Sequence, residues 1–164
     1  MKIGSQKLAG CLIALAMAVG AAATAQLGEK KTLTLDAVKQ VAAAAEKYAA
    51  NKKLKIVIAI ADDGGNLLYL ERMDEAPPGS VEVAIQKARS SALHGKPTKA
   101  FADAVAAGGI GMLKLPDVIP GEGGVPLMAE GKVIGAIGVS GASPQDDGEA
   151  AKAGVEVLVG MLKK

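Results

Sequence analysis

GGVPLMAEGKVIGAIGVSGASPQD, at residues 123–146, predicts two strands joined by a tight turn and followed directly by a helix. The turn falls at residues 130–131, and Ser143 before Pro144 is a favoured helix start. Glycines at positions 135, 138 and 141 leave the second strand nearly bare of side chains. A bare strand lets another backbone or a flat ligand lie close against it.

A second pair of strands is predicted around the sequence Asp-Asp-Gly-Gly-Asn at residues 62–66. Residues 55–61 form a nearly continuous apolar run before this turn, and residues 67–73 follow it, so the two make an antiparallel hairpin. Apolar residues at helical spacing predict the surrounding helices. The first helix starts after the capping residue Thr34. The second runs from Val81 to about Leu93, with Ser80 as its cap, and the third covers residues 98–107.

Residues 110–115, which precede Pro116, are either a short strand or an extended arm. The predicted order is therefore α, β, β, α, α, a possible β, β, β, α. This order implies an α+β fold in which helices cover the faces of an antiparallel sheet. No second domain is visible in the sequence.

The glycine-spaced strand, the hairpin at residues 62–66, Arg89 and the run His94-Gly-Lys-Pro-Thr98 together resemble the GlcG/HbpS-type haem-binding family. The resemblance extends from about residue 33 to about residue 162. It implies a profilin-like single domain with a five-stranded antiparallel sheet flanked by helices, and assembly into a homo-oligomer such as an octamer. Members of the family are associated with haem binding, haem degradation, glycolate operons and a cobalamin-enzyme accessory domain.

The N-terminus predicts a secretory signal peptide at residues 1–25, cleaved after Ala25. It has a basic start, an apolar run that is too short and alanine-rich for a membrane anchor, and a small-residue end. Cys11 lies in a sequence that matches a lipoprotein cleavage box, but it precedes the apolar run instead of following it. We therefore expect a periplasmic or secreted domain at residues 26–164, without cysteine and without a membrane anchor.

Charge and aromatic content exclude several classes of partner. Without the predicted signal peptide the chain is formally neutral, with 17 basic and 17 acidic residues. No block of like charge indicates nucleic acid or an anionic membrane surface. Tyr48, Tyr69 and Phe101 are the only aromatic residues apart from the histidine, so a base-stacking platform is not expected.

His94 is the only histidine and is the candidate axial ligand for haem iron. The alternative is a structural histidine at a helix C-terminus, where its positive charge is favourable. Thr98 is a second candidate, because the resemblance places its hydroxyl near the iron. The alternative is that Thr98 only caps the helix that follows Pro97.

Arg72 and Arg89 are the only arginines and are candidates to bind haem propionates or another carboxylate. Either could instead form a structural ion pair with Glu71, Asp74 or Glu82. Other candidates are weaker and have ordinary explanations: Met73 and Met112 as axial ligands or core residues, and Glu122, Asp146 and Asp147 as cation ligands or capping residues.

These observations predict an exported haem-binding protein that serves haem storage, sensing or degradation. No set of residues requires enzymatic catalysis. The alternative is an accessory protein that binds a small, glycolate-like carboxylate through Arg72 or Arg89.

Overall fold

The computed structural model describes residues 28–163. Its elements, in chain order, are α1 (Leu35–Asn51), β1 (Val57–Asp62), β2 (Leu67–Arg72), α2 (Ser80–His94), α3 (Thr98–Ala106), a 3-10 helix (Ile110–Lys114), β3 (Gly124–Ala129), β4 (Lys132–Ser140) and α4 (Pro144–Leu162). The predicted signal peptide at residues 1–25, its cleavage after Ala25 and the alternative at Cys11 lie outside the described residues. Among residues 28–163, no helix combines the length and the apolar character that a bilayer crossing needs.

The strands form one antiparallel sheet in the order β2-β1-β4-β3. The predictions of an α+β class and an antiparallel sheet are therefore confirmed. The prediction of five strands was wrong, because the sheet in residues 28–163 has four.

The ambiguous segment at residues 110–115 explains part of this difference. The amide of Gly109 turns back to the Ala104 carbonyl oxygen at the end of α3. Short-range bonds then continue, from the Met112 amide to Gly109 and from the Leu115 amide to Met112. Since these amides bond to neighbours three residues away, the segment forms a 3-10 helix instead of a strand.

β1 lies inside the sheet and is buried on both faces. Ile58 and Ile60 point into the larger core, which α1 and α4 cover. Val57 and Ala59 point to the other face, where they pack with small side chains of α2. This is why β1 reads as a continuous apolar run instead of an alternating one.

The bare strand β4 receives the backbone of α2. A side-chain carbon at Gly138 would collide with the Ala84 carbonyl oxygen and the Ala88 amide nitrogen. Of the two occupants that the sequence allowed, it is therefore another backbone, not a flat ligand, that lies against Gly138. This contact holds α2 across the middle of the sheet.

Two of the predicted helix caps are confirmed. Thr34 accepts a hydrogen bond from the first turn of α1 at 3.2 Å, and Ser143 accepts one from the first turn of α4 at 3.1 Å. Ser80 is not a cap, because it is already the first residue of α2 and Gly79 precedes it with helical dihedral angles. The Ser80 amide donates to Pro77, so the chain begins to turn within the Pro-Pro-Gly sequence.

Candidate functional site

The polar side of α2 holds the segment of residues 116–119, which we call the strap. The Nε atom of Arg89 donates to a carboxylate oxygen of Asp117 at 2.8 Å. The Nε2 atom of His94 lies 3.0 Å from the Pro116 carbonyl oxygen. The Ile119 amide donates to the Ser90 hydroxyl at 3.3 Å. Arg89 and His94 therefore contact consecutive residues of the same segment.

His94 lies at the end of α2, directly before Gly95, which adopts a left-handed conformation. Its ring meets the buried Phe101 edge-on, with the two ring centres 5.4 Å apart. Because a carbonyl oxygen can only accept, Nε2 carries the hydrogen in the contact with Pro116. The lone pair of the neutral ring is then on Nδ1, and Nε2 becomes free for a metal only when Pro116 moves away.

A cavity of about 420 Å³ lies between α2 and the strap. Cavities of roughly 300–1,000 Å³ are the usual size for small-molecule sites. Its walls combine charged, amide and branched apolar side chains: Glu82, Gln86, Arg89, Asp117, Val118 and Ile119. Arg89 is thus the candidate residue that both lines a cavity and already holds a carboxylate.

Thr98 is fully buried and does not cap α3, since Pro97 occupies the capping position. Its hydroxyl donates to the Gly121 carbonyl oxygen and accepts the Gly124 amide hydrogen at 2.8 Å. Thr98 therefore fixes the glycine loop, residues 121–124, that connects the strap to β3. Its proposed position near haem iron stays a prediction.

Lys87 and Asp147 form a buried ion pair that the sequence did not reveal. Nζ of Lys87 donates to a carboxylate oxygen of Asp147 and to the Val139 carbonyl oxygen, each at 2.9 Å. The other carboxylate oxygen accepts the Ala142 amide at 3.0 Å. Burial raises the pKa of Asp147, while the Lys87 ammonium and backbone amides oppose that rise. The pair joins α2, β4 and α4 directly beneath Gly123.

A signal for Lys87 was present in the sequence. Lys87 follows Ala84 by three residues and precedes Ser91 by four, so all three lie on one face of α2 with other small residues. A lone lysine on such a face predicts burial. Its partner could not be read in the same way, because Asp147 lies 60 residues away along the chain.

Arg72 lies apart from the strap. Its Nε and Nη2 atoms donate to the Ala76 carbonyl oxygen at 3.0 and 2.7 Å. Within residues 28–163 its guanidinium makes no ion pair with Glu71, Asp74 or Glu82. The structure therefore brings Arg89 and His94 to one segment and leaves Arg72 at the end of β2.

Met73 and Asp146, two of the weaker candidates, have structural explanations. Met73 packs against the larger core. Asp146 accepts a hydrogen bond from Ser143 and pairs with Lys52, and these two contacts lower its pKa. In the described part of the chain, no three histidine, cysteine or acidic side chains lie together as a metal site would require.

Apolar side chains are exposed on the segment that leads into the strap. Ile110, Leu113 and Leu115 are 70%, 52% and 45% exposed, and Leu93 near the end of α2 is 41% exposed. Exposed apolar side chains concentrated in one segment are typical of a binding surface.

Residues 33–156 match a family model described as haem degrading protein HbpS-like. The chain belongs to this HbpS-like family. The predicted membership is confirmed by a relative as well: Protein GlcG of Escherichia coli strain K12 is 37% identical over 111 residues, which are 68% of this chain and 83% of GlcG.

Two solved structures share the fold. A double mutant of HbpS from Streptomyces reticuli is 33% identical, with a TM-score of 0.75 over 87% of this chain and 98% of that one. A complex described as PduOC with haem is 27% identical, with a TM-score of 0.71 over 77% of this chain and 94% of that one. The HbpS-like chain described here therefore has a relative whose structure contains haem.

The side chains around the strap fit the requirements of a haem site. An imidazole is a common ligand of haem iron, and His94 supplies one at the edge of the exposed apolar segment. Propionates require a cation with the geometry to bind a carboxylate, and Arg89 already binds one in Asp117. The macrocycle requires apolar surface, which the segment of residues 110–115 presents.

Proposed function

We propose that this HbpS-like protein is an exported haem-binding protein that takes haem between α2 and the segment of residues 110–119. The observation that supports this most is the pairing of Arg89 with a carboxylate beside the chain's only histidine. The family description and the haem-containing relative point to the same ligand. Haem storage, sensing or degradation is the purpose we propose for this binding.

Each side chain has a defined task in this proposal. When bound, haem supplies iron chemistry and a flat apolar ring. Arg89 binds a propionate by the same guanidinium contact that it now makes to Asp117. His94 would supply an imidazole nitrogen to the iron, and Phe101 packs edge-on against the His94 ring. The exposed apolar side chains before the strap exclude water from one side of the ring.

A haemin titration of the purified protein, followed by visible absorption, tests this proposal. We expect saturable binding with a shift of the Soret band. His94→Ala should change that band or weaken affinity at least about tenfold, because it removes the only imidazole. An unchanged band would remove His94 from the site, and an absence of saturable binding would overturn the proposal.

The two arginines provide a matched pair of variants. Arg89→Gln should weaken haemin binding about tenfold, because it removes a charge-assisted contact to a propionate. Arg72→Gln removes the same charge from the end of β2 and should leave affinity within about twofold. Equal losses in both variants would indicate that net charge, not the Arg89 contact, determines affinity.

The export proposed here requires its own measurement. N-terminal sequencing of protein recovered from the periplasm or the medium should begin at Gln26. A chain that keeps residues 1–25 and remains inside the cell would contradict both cleavage after Ala25 and the predicted location.

Assembly into a homo-oligomer, with an octamer as the expected form, is also proposed. The alanines on the inner face of α1, namely Ala42, Ala45 and Ala49, already lie in the core of the chain, so they are not available for this purpose. The edge strand β2 offers a different surface, because Leu67, Leu68 and Leu70 are 46%, 40% and 39% exposed. Light scattering coupled to size exclusion would measure the mass, and a monomer at all concentrations would contradict the proposal.

A small carboxylate metabolite is the second candidate ligand. The polar lining of the cavity around Arg89, with Glu82, Gln86 and Asp117, favours it over a large apolar ligand. A thermal-shift comparison separates the two ligands. Stabilisation by glycolate-like acids with no effect of haemin would favour the metabolite, since only a ligand that binds the folded state raises the melting temperature.

A further inference from the structure

The strap occupies the polar groups that a ligand would need. Asp117 binds Arg89, the Pro116 carbonyl binds His94, and the Ile119 amide binds the Ser90 hydroxyl on the helix turn between them. These contacts lie within four consecutive residues. A ligand that uses Arg89 through Nε and His94 through Nε2 therefore has to displace the same segment from both.

Asp117 adopts a backbone conformation that is uncommon for its residue type. Its φ angle of +55° lies in the left-handed region, which aspartate and asparagine enter more readily than most residues other than glycine. The carboxylate that this conformation presents is bound by Arg89. The strap thus holds Asp117 in a strained backbone conformation. The Asp117 carboxylate pairs with Arg89, the candidate ligand-binding arginine.

The contacts that hold the strap are weak enough to exchange. The side chains of Arg89 and Asp117 are 47% and 37% exposed, and solvent-exposed ion pairs contribute little net stability. On the N-terminal side, Gly108 at φ +94° before the 3-10 helix is a position at which the backbone can turn. On the other side, Thr98 and β3 fix the chain at the glycine loop.

We propose that the strap is an internal competitor for the ligand, with the Asp117 carboxylate standing where a ligand carboxylate binds. The strap closes the site when the ligand is absent and lifts when a carboxylate-bearing ligand takes Arg89. This inference rests on the proposed function for the identity of the ligand. The contacts by which the strap covers Arg89 and His94 do not depend on the identity of the ligand.

Asp117→Asn is the variant that tests the proposal. Asparagine tolerates the left-handed conformation and keeps a hydrogen-bond acceptor, so the backbone is preserved while the charge is lost. Asp117→Gly is a second variant, since glycine adopts the same φ angle without strain. Asp103→Asn is the matched control. Asp103 pairs with Lys99 on the exposed side of α3, so this substitution removes the same charge from a different place.

The first measurement needs no haem. Diethyl pyrocarbonate modifies histidine, and phenylglyoxal modifies arginine, so mass spectrometry reports on His94 as the only histidine and on Arg89 against Arg72. Both Asp117 variants should raise the modification rates of His94 and Arg89 by at least about threefold, because the ion pair that holds the strap against α2 is lost. Arg72 in the same sample is the internal reference. Unchanged rates at His94 and Arg89 would overturn the proposal.

The second measurement is the haemin titration of the same variants. Both Asp117 variants should bind haemin about threefold more tightly than the parent chain, since less of the protein is closed to ligand. Asp103→Asn should bind as the parent does. Faster modification with unchanged or weaker haemin affinity would overturn the competitor role. Faster modification with no haemin binding in any variant would refute the proposed haem ligand while supporting closure by the strap.

Discussion

The two sides of α2 differ in how closely their neighbours pack against them. On the side that faces the sheet, Ala84 and Ala88 contact the backbone of Gly138 with no space for even one added carbon. On the other side, Arg89 and His94 hold the strap through exposed polar contacts beside a cavity. One helix therefore has a closed face, formed by close packing, and a face that can exchange its contacts.

This difference separates the role of the bare strand β4 from the role of the strap. The glycines of β4 allow either another backbone or a flat ligand to lie against the strand, and Gly138 serves the docking of α2. The strap carries no comparable sequence motif. Its importance follows from the side chains that it covers, namely Arg89 and His94.

The closed face gives the largest expected effect. Gly138→Val places a branched side chain against the Ala84 carbonyl oxygen and the Ala88 amide nitrogen. Both are backbone atoms, which cannot rotate away. We expect a loss of more than about 5 kcal/mol in the free energy of unfolding, or no cooperative folding, measured by urea denaturation.

Gly160→Ala is the control for that substitution. Gly160 lies in α4, and an added carbon there meets no atom within 4 Å. Alanine should raise the free energy of unfolding by up to about 1 kcal/mol, because glycine is a poor helix former. If Gly138→Val were tolerated as well as Gly160→Ala, α2 would not depend on contact with the bare strand.

The second effect concerns the ion pair between the two faces. Lys87→Met leaves the Asp147 carboxylate buried without its cation, and we expect a loss of about 3 kcal/mol in the free energy of unfolding. Lys87→Met with Asp147→Asn removes both charges and keeps an acceptor for the Ala142 amide. The double variant should recover more than half of the loss; equal losses in the two variants would contradict a charge-pair contribution.

The pH dependence of the Lys87→Met loss has a defined sign. Burial already raises the pKa of Asp147 above the ordinary 3.8, and removal of the ammonium raises it further. The folded variant then binds a proton more tightly than the unfolded chain, so its stability rises as the pH falls through the raised pKa. The loss should therefore be smaller at about pH 5 than at about pH 7.5 in urea denaturation.

Most of the fold could be predicted from local patterns. The two hairpins, the caps at Thr34 and Ser143, and the four helices all follow from residues that are neighbours in sequence. The fifth strand rested on the resemblance and on the ambiguous segment of residues 110–115, but residues 110–114 form a 3-10 helix because glycines beside them favour local turns.

The candidate site was less predictable, because its contacts join distant residues. Arg89 and His94 were identified as chemically suitable side chains, but Asp117 lies 28 residues beyond Arg89 and carries no local signal. Thr98 was assigned either to iron or to a cap, and its observed contacts with the glycine loop are a third arrangement. Sequence patterns thus named suitable atoms without naming their partners.

The smallest expected effect on stability comes from substitutions of exposed leucines, one of which lies in the 3-10 helix that leads into the strap. Leu113 and Leu35 are 52% and 58% exposed, so replacing either by serine should change the free energy of unfolding by no more than about 0.5 kcal/mol. Only Leu113 lies in the segment proposed to contact the macrocycle, so Leu113→Ser should weaken haemin binding about threefold, while Leu35→Ser leaves it unchanged. Equal affinities in the two variants would exclude the 3-10 helix from the ligand surface. The exposed apolar side chains there would then need another partner, and Arg89 with His94 would have to bind haem from the cavity side of α2 alone.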